Sequence, residues 1–161
     1  MNIRIDIERH KTVKLSPAQV QALTASAEST LKRFPKLRKL QVLGEQDFRL
    51  DMQTVGSKVA KIAHDVSFGA RCIADPENAE LRWQALPKVG NADLEGVIRY
   101  AAGNRLSLRV RGELRNVPVP LMYRLVAPAF IQGKFSALAD AYLDRLSAGA
   151  EPVVQTQSAS V

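Results

Sequence analysis

Leu94-Glu95-Gly96-Val97-Ile98-Arg99-Tyr100, followed after Ala101-Ala102-Gly103-Asn104-Arg105 by Leu106-Ser107-Leu108-Arg109-Val110-Arg111-Gly112-Glu113-Leu114, is the stretch that decides the fold. Leu94, Gly96, Ile98 and Tyr100 share one parity, and Leu106, Leu108, Val110, Gly112 and Leu114 meet it across the Gly103-Asn104 turn. A period of two places one set on a buried face and the charged set in water. Gly-Asn suits a tight reversal. The stretch is therefore an antiparallel hairpin with one wet face.

The same pattern repeats towards the amino terminus. Leu81, Trp83 and Ala85 form one inward set, and Ile62, His64, Val66, Phe68, Ala70 and Cys72 form another beyond the Asp75-Pro76-Glu77-Asn78 turn. Phe48, Leu50 and Met52 pair with Leu40 and Val42 as a further hairpin, and Ile3, Ile5 and Ile7 alternate with Arg4, Asp6 and Glu8. About seven strands result. They are interrupted once, where Leu15-Ser16-Pro17 with Gln19 supplies a capping box, a first-turn proline and a staple from Leu15 to Val20. Val20, Leu23, Ala27, Leu31 and Phe34 recur at helical spacing, predicting a helix of about 16 residues that ends at Pro35.

A long helix is predicted from near Pro118-Val119-Pro120 to about Leu146. Its apolar stripe changes phase, from Leu121, Leu125, Val126 and Ala129 to Ile131, Phe135, Leu138, Tyr142 and Leu146, which predicts a bend between Pro128 and Gly133. The fold class is thus α+β, a curved antiparallel sheet of about seven strands wrapped around a long C-terminal helix. Residues 1–148 form one domain, and residues 149–161, small and polar without periodicity, read as a disordered tail.

Composition bounds the function. The chain has 161 residues and one cysteine, Cys72, so disulfide scaffolds and cysteine-based metal sites are excluded. The first residues lack a secretory pattern and no apolar run is long enough to span a bilayer, so the chain is expected in the cytoplasm. The net charge of +7 is spread over strands among acids, and no nucleic-acid partner is expected. One local cluster, Lys32, Arg33, Lys36, Arg38 and Lys39, could dock an anionic membrane or a partner protein, or simply face water. No nucleophile elbow, phosphate loop or metal-ligand spacing occurs; neither a metal nor a cofactor is expected, and no catalytic residue is assigned.

The opening Ile3-Arg4-Ile5-Asp6-Ile7, the Leu15-Ser16-Pro17 helix entry, Phe34-Pro35-Lys36-Leu37 leading to Val42-Leu43-Gly44, and the prolines before the last helix carry a resemblance. Over residues 1–148 the chain resembles the SRPBCC group, which includes START domains, the birch-pollen-allergen family and polyketide cyclases. Within it the chain is most similar to small bacterial proteins of two kinds, the accessory proteins of carbon-monoxide dehydrogenase and the polyketide cyclase/dehydrases. The resemblance implies a helix-grip fold with a cavity between sheet and terminal helix.

Such a cavity would be walled by Met52, Ile62, Val66, Phe68, Trp83, Ile98, Tyr100, Leu108, Phe135 and Tyr142, with His64, Gln132 and the two tyrosine hydroxyls as orienting groups. The same side chains could instead pack on one another and fill the space. The expected function is binding of an apolar or amphipathic small molecule, lipid-like or polyketide-like, without transforming it. Two alternatives stay open. One is a cyclase or dehydratase using His64 or a tyrosine; the other is an accessory protein docking through the basic cluster.

Overall fold

The computed structural model describes residues 1–59 and 61–148, and the backbone of 156–158. The chain runs β1 (Ile3–Thr12), α1 (Pro17–Ala25), α2 (Ala27–Leu31), β2 (Leu37–Val42), β3 (Asp47–Ser57), β4 (Ile62–Asp75), β5 (Glu80–Gly90), β6 (Ala92–Ala101), β7 (Arg105–Leu114), α3 (Ala127–Ala148) and β8 (Thr156–Ser158). The strands lie in the order β1-β7-β6-β5-β4-β3-β2-β8. β1 to β7 form a seven-stranded antiparallel sheet that curls around α3. This is the helix-grip arrangement, with the helical insertion after β1. β8 adds three residues parallel to β2, Leu40 opposite Thr156. The rest of the predicted disordered tail lies outside the described residues.

Sequence parity places the core. Ile3, Ile5 and Ile7 are buried on β1, and Leu106, Leu108, Val110 and Leu114 on β7 face them in register, with Ile7 opposite Val110. Gly103 and Asn104 both take positive φ (82° and 58°), the conformation that glycine and asparagine reach most readily. Trp83 on β5 lies opposite Gly96 on β6, and its indole covers the glycine so closely that a Cβ there would clash with Cζ2 and Cη2 of the ring. The indole N–H is satisfied by the Leu94 carbonyl at 3.1 Å.

The helical insertion departs from the single predicted helix. Ser16 caps α1 with the full box, its Oγ accepting from Gln19 N (3.1 Å) while Gln19 Oε1 accepts from Ser16 N (2.8 Å). Ser26 then leaves helical geometry (φ −144°) and caps α2 by accepting from Ser29 N at 3.1 Å. A serine side chain competing for backbone donors is enough to restart a helix. Thr30 ties the two pieces together by donating to the Leu23 carbonyl (2.9 Å).

The C-terminal helix differs more. α3 begins only at Ala127 and runs unbroken through Gly133; ahead of it stand a single 3-10 turn, Leu121–Tyr123, and a turn over residues 124–126. Pro128 sits in the first turn, where its missing N–H costs nothing. The predicted leading stripe is therefore not buried: Leu121 is 80% exposed and Leu125 97%. The second stripe holds, with Ile131, Phe135, Leu138, Tyr142 and Leu146 all in the core.

Replacing Gly96 with valine is expected to displace the Trp83 ring and destabilise the fold by about 1–3 kcal/mol, the usual cost of overpacking. Urea unfolding followed by tryptophan fluorescence checks both the loss and its site.

Candidate functional site

The inner face of the sheet is apolar apart from His64 and the Tyr100 hydroxyl towards its two ends. Met52, Ile62, Val66, Phe68, Trp83, Ile98, Leu108, Phe135 and Tyr142 are all buried in one continuous core between sheet and α3. They pack on one another and on the helical insertion. Phe34 lies edge-on to Phe68 (centroids 6.3 Å) and tilted against Tyr142 (4.7 Å).

The four polar candidates do not converge. The Tyr142 hydroxyl is buried and donates to the Thr30 carbonyl at 2.6 Å, and burial pushes its pKa well above the ordinary phenol range. Tyr100 is half-buried near the far end of β6. Its hydroxyl lies 2.9 Å from both the Val13 carbonyl and Asn104 Oδ1 and accepts from Leu15 N at 3.2 Å, pinning the loop after β1. Gln132 turns to the sheet edge, where its Oε1 accepts from Asp6 N (3.1 Å). His64 sits at the opposite end of the sheet from Tyr100, half-buried, with Nε2 shielded from water and unpaired.

His64 marks the open end of the sheet. β4 pairs with β5 only from Ala70 to Asp75; lower down it touches β6 at one point, Phe68 opposite Ala92. Asn91 bridges the gap, its Oδ1 accepting from Ser67 N (2.9 Å) and its Nδ2 donating to the Asp65 carbonyl (2.6 Å). Beyond Asn91 the β3–β4 turn and the chain near Pro118 border a common surface. The resulting depression, about 440 Å³, is lined by Thr54, Lys58, Ala63, His64, Asp65, Asn91 and Pro118. It adjoins a second of about 530 Å³ lined by Lys58, Lys61, Ala63, Pro118, Val119 and Pro120. Parity located His64 but not the partners around it, because Asn91 and Pro118 reach this end only through the tertiary path of their loops.

Two more depressions lie among charged side chains of the outer sheet face, including Arg4, Asp6, Glu95 and Arg111. Acids and bases alternate there, and Arg71 makes a two-pronged pair with Asp47 (2.9 and 3.0 Å) across β3 and β4. Of the basic cluster, Lys36 and Arg38 are exposed, while Lys32, Arg33 and Lys39 are half-buried. The Arg33 carbonyl accepts from Arg145 at 3.5 Å. Among the described residues no group of three or more His, Cys, Asp or Glu side chains stands close enough to hold a metal ion, and no helix is long and apolar enough to cross a membrane.

Burial holds the His64 pKa below its ordinary 6.5, against the opposing pull of Asp65. The unfolded chain therefore takes up this proton first as pH falls. The group's contribution to stability is complete above 6.5, declines as pH drops from there to the lowered folded value, and levels off below it. A His64→Gln variant is expected to lose that part of the pH dependence in thermal melts. Burial, and after it the charge of Asp47, pushes the Cys72 thiol up to about 12. Ellman's reagent is accordingly expected to leave Cys72 untouched in the native chain and to label it after unfolding.

No protein-family model and no curated protein matches the chain. Solved structures do. The Zhui aromatase/cyclase from a Streptomyces species aligns over 91% of this chain and 93% of its own, with 15% identity and a TM-score of 0.63. A conserved protein from Geobacillus kaustophilus covers 92% and 94%, at 15% identity and a TM-score of 0.57. A START superfamily protein from Mycobacterium smegmatis covers 91% and 99%, at 12% identity and a TM-score of 0.55. At such identities the likeness is one of fold, and it does not reach the narrower resemblance to the carbon-monoxide-dehydrogenase accessory proteins. In its fold the chain is a helix-grip protein, an architecture it shares with these START and aromatase/cyclase structures.

Proposed function

We propose that this chain binds an apolar or amphipathic small molecule between the curled sheet and α3, entering beside His64. The observation that carries the reading is the combination of a largely apolar inner face with a sheet that parts between β4 and β5 at one end only. Apolar surroundings supply the driving force, and a polar group at the mouth orients a head group. His64 is the side chain placed for that. Seating a ligand displaces contacts that Met52, Ile62 and Val66 make within the core, so net affinity is what remains after that cost. The aromatase/cyclase and START likenesses agree with this reading.

A second reading is acid–base catalysis on a polyketide-like substrate. One observation favours it: the His64 side chain borders a solvent-open depression while its Nε2, shielded from water, has no hydrogen-bond partner, and burial favours the neutral imidazole that a general base requires. Tyr100 and Tyr142 are held in structural hydrogen bonds, which leaves His64 as the residue to test.

Native mass spectrometry of the gently purified chain, followed by organic extraction, is expected to show a discrete apolar mass. An apolar dye should compete with it. A bare polypeptide that also fails to bind the dye would overturn the proposal. Turnover of a polyketide-like substrate that His64→Gln abolishes while dye binding persists would favour the catalytic reading.

A further inference from the structure

Five large aliphatic side chains stand in water at the same end of the molecule, on two separate elements. Val59, at the tip of the β3–β4 turn, is 97% exposed; Leu121, Met122, Leu125 and Val126, in the segment leading into α3, are exposed by 80, 78, 97 and 55%. The two elements meet at the depression shared by Lys58, Lys61 and Pro118–Pro120. Exposed apolar side chains grouped in this way mark an interaction surface. The segment's helical spacing suits a buried stripe, yet no part of the described fold covers it.

Charge says what does. Residues 52–64 and 114–139 contain Lys58, Lys61, Arg115, Arg124 and Lys134 and no aspartate or glutamate. Arg115 is held by Asp93, but Lys58, Lys61, Arg124 and Lys134 meet no carboxylate among the described residues. Lys134 lies over the Phe130 ring, 5.3 Å from its centre. The acid nearest this end is Asp65, which lines the neighbouring depression with Lys58 and hydrogen-bonds to Thr54, so the balance of charge here stays positive. A second copy of this chain would bring the same uncompensated cations face to face. An anionic bilayer accepts aliphatic tips below its head groups and cations at their level.

We infer that the β3–β4 turn and residues 118–126 form a docking face for anionic membrane surfaces, inserting Val59, Leu121, Met122, Leu125 and Val126 with Lys58, Lys61, Arg124 and Lys134 at the head groups. The face is distinct from the Lys32–Lys39 cluster, which lies at the α2–β2 junction. It stands independently of ligand binding, because the aliphatic tips and the cations around them are present whether or not the core admits a guest.

Flotation of the full chain with vesicles of phosphatidylcholine and phosphatidylglycerol in equal parts tests it. Association is expected, weakened about tenfold or more on pure phosphatidylcholine and by high salt. A Leu121→Asp/Leu125→Asp variant is expected to lose about tenfold or more in vesicle affinity while keeping the native circular dichroism spectrum and melting temperature, since both side chains are already in water. Lys58→Glu/Lys61→Glu should weaken anionic binding with little effect on neutral vesicles. No association with anionic vesicles would overturn the inference. So would association that survives both variants but is abolished by Lys36→Glu/Arg38→Glu, or a dimer in sedimentation that Leu125→Asp dissolves without any vesicle binding by the parent chain.

Discussion

Everything in this fold hangs on how α3 is fastened along the edge of β1. β1 pairs with β7 on one side only, so its other edge presents backbone donors that need partners. Gln132 accepts from Asp6 N (3.1 Å); Arg9 grips Asp140 with two hydrogen bonds (2.8 and 2.9 Å); Lys11 reaches Asp144 (2.9 Å) and Ser147 (3.1 Å). Exposed pairs of this kind contribute little energy each. Their spacing along β1 and α3 fixes the helix's rotation, and the rotation turns Ile131, Phe135, Tyr142 and Leu146 into the core. On the far side Tyr142 and Arg145 catch the carbonyls of Thr30 and Arg33, so the same helix holds the insertion against the sheet.

Local periodicity made most of the sheet legible from sequence. Ile3 to Ile7, Phe48 to Met52, Ile62 to Cys72 and Leu94 to Leu114 all keep their inward faces, because a strand's period is a property of adjacent residues. What stayed hidden depends on distant ones. The register shift between Asp51 and Thr54 brings both Met52 and Val55 inward, and no single-strand pattern announces it. Leu121, Leu125 and Val126 carry helical spacing, but spacing becomes burial only where something packs against it.

The candidate site shows the same division. Parity assigns His64 and Tyr100 to one side of the sheet, but it carries no information on position along the strands. The ten residues of β6 and the length of β4 put the two at opposite ends, and Gln132 was drawn away to the sheet edge. Asn91 read as one residue of a turn. Its side chain substitutes for the strand pairing that β4 and β5 give up, a role visible only once both strands are in place.

The strand order also governs how the chain can assemble. β2 to β7 form a meander in which each strand pairs with its sequence neighbour, so each hairpin closes over a short loop. β1 is synthesised first, yet its partner is β7, with Ile3 opposite Leu114. The first strand must therefore wait for nearly the whole sheet to be made, and α3, which closes over β1, must wait longer still. Long-range closure of this kind raises the sequence separation of native contacts, which slows folding, and until it occurs the apolar face of β1 stays uncovered.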